Sequence, residues 1–118
     1  MVTLQDLEKK RSLRETRLRA ALESLIDTLK FLGARRVLLF GSLARGEVTE
    51  WSDLDLLVVM PSTKPGRAWR KTVLESVKRE VASDILVFTE NELDEDLPAS
   101  SFLRPIIQEG VVVYESRS

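Results

Sequence analysis

RVLLFGSLARGEVTEWSDLDLLVVM, residues 36–60, sets two apolar runs around a polar segment. Gly41 and Ser42 close the first run, and Asp53 and Asp55 open the second. Val37 to Phe40 is a short continuous run of strand formers and Leu54 to Met60 another, the pattern of strands buried on both faces. Residues i and i+2 of a strand share a face, so Asp53 and Asp55 point the same way, a few ångströms apart. Two ionised carboxylates that close repel each other. A hard divalent cation between them reverses the sign, because Mg2+ takes oxygen ligands and is usually held by one or two carboxylates plus substrate phosphates. A lone D-x-D at a strand entrance fits a solvated turn equally well, but here a buried strand lies behind it and a Gly-Ser upstream. Glycine lets backbone come close to a ligand, and amides at a strand-to-helix turn direct partial positive charge at an anion. There is no G-x-x-x-x-G-K-[ST], so this is not a Walker loop.

Outward from that stretch, Thr3 reads as a helix cap with Asp6 in its first turn, and the helical pattern runs to Gly33, a C-terminal stop. Leu18, Leu22, Leu25, Ile26, Leu29 and Leu32 form an apolar stripe suited to packing on a sheet. The preceding half carries Lys9, Lys10, Arg11, Arg14, Arg17 and Arg19, which reads either as a solvated helix end or as a basic docking arm. Residues 42–46 suggest one turn of helix. Arg45 is placed either to face a triphosphate or to fix the following loop through a carboxylate. Trp51 is expected to cover a core edge rather than stack on a base, and Ser52 to hydrogen-bond the turn leading to Asp53.

The loop PSTKPG, residues 61–66, is read as a mobile segment at the site mouth, with Lys64 in reach of a phosphate. A helix is expected over 67–82, with Ala68, Trp69, Val73, Val77 and Val81 on one face, followed by a third strand at Ile85 to Phe88. Strand, helix, strand in this order imply a right-handed parallel crossover. Asp84 then opens strand three beside the pair that opens strand two, and a single aspartate that would otherwise be a turn residue becomes the third member of a carboxylate triad. Residues 90–96 form a short acidic helix or turn. A last helix carries Phe102, Leu103, Ile106 and Ile107 and stops at Gly110, and Val111 to Tyr114 is a fourth strand. The fold class is α/β (α+β): a mixed sheet of about four strands flanked by helices, its first two strands antiparallel.

A chain of 118 residues makes one domain that buries roughly 65% of its unfolded surface. Eighteen Lys plus Arg against nineteen Asp plus Glu argue against a strong non-specific grip on nucleic acid, leaving local patches. The absence of Cys and His excludes thiol and imidazole nucleophiles, histidine acid–base chemistry and ordinary zinc sites. Chemistry must run on carboxylates, hydroxyls, Lys, Arg and bound metal. No apolar stretch approaches the roughly 20 residues of a membrane span and no signal-peptide core is present, so a cytoplasmic location without a membrane partner is expected.

GSLARGEVTEWSDLDLLVV resembles the signature of the minimal nucleotidyltransferases of the DNA polymerase beta superfamily: Gly-Ser, Ala-Arg-Gly, a ten-residue gap, then Ser-Asp-x-Asp-Leu in an apolar strand. The resemblance extends over most of the chain after Ala34 and implies a single such domain over 1–118, with 1–33 an N-terminal helix and 34–118 the catalytic core. It implies two-metal nucleotidyl transfer. Asp53 and Asp55 would hold two Mg2+ ions and Asp84 the ion beside the attacking hydroxyl, while Gly41 and Ser42, with Arg45, bind the nucleotide's phosphates. It further points to small members paired with a HEPN-domain protein in toxin–antitoxin modules. There the nucleotidyltransferase is the antitoxin and transfers AMP from ATP to a hydroxyl of its partner. The alternative is an antitoxin that neutralises by contact alone, its triad idle. A D-x-D glycosyltransferase is disfavoured by the short chain and the Gly-Ser.

Overall fold

The structure, a computed structural model, describes residues 1–117. Helix α1 spans Leu4–Leu32. Its start is a reciprocal capping box, with the Asp6 amide donating to Thr3 Oγ1 and the Thr3 amide to Asp6 Oδ2, both at 3.2 Å. It ends at Gly33, whose φ of +97° is the left-handed conformation that closes a helix. The buried stripe begins only at Leu18 and continues through Ala21, Leu22, Leu25 and Leu29. Leu4 and Leu13 are exposed, so the front half of α1 runs past the core and gives the molecule its 54 Å long axis.

Strand β1 (Arg36–Phe40), helix α2 (Gly41–Arg45), β2 (Leu54–Met60), α3 (Gly66–Ser76), β3 (Ser83–Thr89), α4 (Glu90–Asp96), α5 (Leu103–Glu109) and β4 (Val111–Glu115) follow, with a 3-10 turn at Leu97–Ala99. The four strands form one mixed sheet ordered β3-β2-β1-β4. β1 runs antiparallel to β2 and β4, and β2 runs parallel to β3. Alternation along the strands sorts two apolar layers. Val37, Leu39, Leu54, Leu56 and Val58 pack with α1, Trp69 and Val73, whereas Leu38, Leu57 and Val59 pack with Leu93, Leu103 and Ile106 of α4 and α5. The expected α/β class, strand count and directions are therefore observed.

Two expectations for the segment after β2 are corrected. The helix ends at Ser76 rather than at Ala82, because Val77 turns to an extended conformation, φ −89° and ψ 141°, while its buried side chain still closes the α3 face. The 61–66 loop does not stand at the mouth of the aspartate site. It leaves the other end of β2, seven residues or about 23 Å of strand away. It is also tied down: Trp69 Nε1 donates to the Pro61 carbonyl at 2.8 Å, and Lys64 Nζ donates to Thr72 Oγ1 at 3.2 Å while lying 4.1 Å from the Trp69 ring centroid. Lys64 thus serves α3 and reaches no phosphate at the site.

Candidate active site

Strand register brings the site together. Phe40 lies opposite Asp55 across the antiparallel pair, and Asp55 lies opposite Asp84 across the parallel pair. Gly41, next after Phe40, therefore abuts Asp55. Its φ is +76°, and a Cβ built there would overlap the Asp55 carboxylate, with the Asp55 Cγ only 2.9 Å away. No other residue type allows this approach without strain. Asp55 is half-buried, whereas Asp53 and Asp84 are exposed. Burial raises the Asp55 pKa above its ordinary 3.8, the negative charges of Asp84 and Asp53 raise it further, and the Arg45 cation offsets part of this. Asp55 thus lies in the field of two like charges and one opposite one.

Around them, α2 carries Ser42 in its first turn, where helix amides have no intrahelical acceptor. Arg45 meets the loop-fixing one of its two readings. It donates from Nε to Glu47 Oε2 at 3.1 Å, fixing the loop, and it lines a cleft of about 330 Å3 shared with Phe40, Asp55, Ile106 and Glu109. Glu109 escaped sequence reading because it sits at the end of a short helix far along the chain, with no motif around it. Ser52 accepts from the Thr49 amide at 2.8 Å and is buried, pinning the turn as expected. Trp51 does not cover a core edge: it is 82% exposed. Val48 and Ser52 take the inward positions of that turn and aim the indole outward.

The Nucleotidyltransferase domain family matches residues 22–114, a span that contains Gly41, Ser42, Arg45, Asp53, Asp55 and Asp84. The chain belongs to this family. In fold it is similar to a Sulfolobus solfataricus protein described as a "putative nucleotidyltransferase", with a TM-score of 0.63 at 18% identity over 92% of this chain and 90% of that one. No curated protein matches by sequence.

Within this nucleotidyltransferase domain, no group of three or more His, Cys, Asp or Glu side chains among the described residues is placed to hold a metal ion as it stands. Asp53 Oδ1 lies 3.8 Å from Arg14 Nη2. The donor set nonetheless suits Mg2+, which needs only one or two protein carboxylates when phosphate oxygens complete its shell.

Arg14 is the residue that sequence reading passed over. It lies outside the family-matched span, one helical turn before Leu18, so it continues the stripe that faces the core. Among six basic residues on that half-helix, only this spacing set it apart. Its Nε donates to the Ser52 carbonyl at 2.8 Å, fastening α1 to the turn that precedes Asp53. Arg14→Ala should destabilise the fold by about 1–2 kcal/mol, the scale of one charge-assisted hydrogen bond, and speed amide exchange at 51–53 specifically. Unchanged exchange there would mean that Thr49 and Ser52 hold the turn unaided.

Proposed function

We propose that this nucleotidyltransferase transfers AMP from ATP, with Mg2+, to a hydroxyl of a partner protein, as the antitoxin of a HEPN-paired module. The observation that carries this reading is Asp55 set against Gly41 and opposite Asp84 at one end of the sheet, with Asp53 two residues before it. Asp53 and Asp55 would hold two Mg2+ ions and Asp84 the one nearest the acceptor. Bound there, the ions supply Lewis-acid polarisation of the phosphates and a lowered acceptor pKa. The chain's own residues do the remaining work. Gly41 admits the outer phosphates close to the backbone, Ser42 offers amide and hydroxyl donors, and Arg45 offsets triphosphate charge. A partner that fixes the acceptor contributes positioning, which accounts for about 7–11 kcal/mol of such barriers. The chain alone should be nearly idle. The HEPN partner and the choice of AMP rest on the resemblance of GSLARGEVTEWSDLDLLVV to the minimal nucleotidyltransferases.

The roles within the triad are separable. A nucleotide brings one metal with its phosphates, whereas the acceptor-side ion depends on Asp84. Asp84→Asn should keep most of the affinity for ATP with Mg2+ in calorimetry and lose turnover. Collapse of nucleotide binding as complete as in Asp53→Asn would contradict that division. The Arg14–Asp53 contact favours a second reading, in which the chain neutralises its partner by contact with the triad idle. A contact-only antitoxin would still neutralise with all three aspartates replaced, whereas an enzyme would not.

A further inference from the structure

Between α1 and the turn that precedes Asp53 lies a groove of about 390 Å3 lined by Leu7 and Arg11 on one side and by residues 47–51, with Glu47, Glu50 and Trp51, on the other. Leu7 is 46% exposed and Trp51 82% exposed, an aliphatic and an aromatic side chain facing one space from two elements. The indole stands on a fixed support. The Trp51 amide donates to Thr49 Oγ1 at 3.2 Å, the Ser52 carbonyl accepts from Arg14, and Glu50 pairs with Lys10 at 3.7 Å. An exposed tryptophan on an ordered turn loses little conformational entropy when covered, the property of an interface anchor.

The charges around the groove select its occupant. Its acidic groups are already paired, Glu50 with Lys10 and Glu47 with Arg45. Arg11 in the groove and Arg17 farther along the same flank of α1 pair with none of the described carboxylates, so the uncompensated charge along this face is positive. A second copy of the chain would bring the same cations against it. Nucleic acid would use the cations but leave Leu7 uncovered, and the chain as a whole carries a net charge of −1.

We propose that the groove between Leu7 and Trp51 docks an acidic protein segment through an apolar or aromatic anchor, and that this contact delivers the acceptor to the site. Trp51 lies two residues from Asp53, a separation of at most about 7 Å along the chain, so a segment seated on the indole is within a short reach of that carboxylate. The delivery role rests on the proposed transfer to a protein hydroxyl, while the binding itself does not.

The test uses the whole chain without nucleotide or metal, and a random glutamate–tyrosine copolymer as probe. Trp51 and Trp69 are the two tryptophans, and Trp69 is buried with its Nε1 bonded to the Pro61 carbonyl. Acrylamide quenching of emission, excited beyond tyrosine absorption, therefore reports on Trp51. The copolymer should shield Trp51 in a salt-sensitive way and polyglutamate should do so more weakly. Leu7→Ser and Arg11→Glu, both at exposed positions, should each weaken binding about tenfold. Absence of shielding, equal shielding by a lysine–tyrosine copolymer, insensitivity to both substitutions, or tighter binding of oligouridylate would overturn the proposal. If the copolymer binds but no nucleotide is transferred, the proposed function fails and the docking surface stands. Transfer to a protein hydroxyl without any binding at the groove would remove the docking surface and leave the proposed function standing.

Discussion

Asp55→Asn and Asp53→Asn are each expected to abolish Mg2+-dependent nucleotidyl transfer, a fall of about a thousandfold or more, while the protein stays folded. Losing one carboxylate of the proposed metal pair would remove several kcal/mol of transition-state stabilisation, and each 1.4 kcal/mol is about tenfold in rate. The fold survives because the aspartates stand at the strand mouth and the apolar layers do not depend on them. For Asp55 the stability effect has a defined sign. Its pKa is raised in the folded chain by burial and by Asp84 and Asp53. Between the unfolded and folded pKa values the native state binds more protons, so stability falls as pH rises through that window and stays lowered above it. Asparagine does not titrate and removes that cost. Without metal, Asp55→Asn should melt slightly higher than wild type near neutral pH, and the difference should vanish as pH drops below the ordinary carboxylate range. Thermal melts in EDTA across that range check the sign. A mutant that melts lower at neutral pH would place Asp55 in a stabilising contact.

Gly41→Ala should be nearly as damaging by a different route. The added methyl meets the Asp55 carboxylate and must also adopt a φ of +76°. The backbone strain costs about 1–2 kcal/mol. The carboxylate is the free end of a side chain and can rotate away, so the chain still folds. What is lost is the position of Asp55. Activity should fall by at least about a hundredfold, since catalytic groups misplaced by about 1 Å lose that much. By comparison Gly46→Ala, at a φ of +70° with nothing within 4 Å, should share the strain and keep the activity. Equal activity losses in the two variants would show that strain in α2, not displacement of Asp55, is responsible.

Most of the sheet was legible because its strands are unusually regular in sequence. The runs at Val37–Phe40 and Leu54–Met60 are buried on both faces, and the crossover through α3 dictated a parallel β3 with Asp84 next to Asp55. The caps at Thr3 and Gly33 were equally plain, since both act through local backbone chemistry. Contacts between distant segments were not legible. Arg14 reaches the turn before Asp53 across 38 residues of sequence, and only its place one helical turn before Leu18 marks it among its basic neighbours. Trp51 was misread because residue type suggests burial, while the Thr49–Ser52 turn decides its direction. The 61–66 loop was misplaced because its composition suits a phosphate loop, but strand direction puts it at the far end of β2.

The most direct measurement compares ATP labelled on the α-phosphate with ATP labelled on the γ-phosphate, incubated with Mg2+, this chain and the proposed HEPN-type partner. Label from the α-phosphate should appear on the partner and γ-label should leave with pyrophosphate, with no transfer when Asp53 or Asp55 is replaced by asparagine. Transfer of γ-label, or α-label that persists in both variants, would contradict a nucleotidyl-transfer site built on Gly41, Asp53, Asp55 and Asp84.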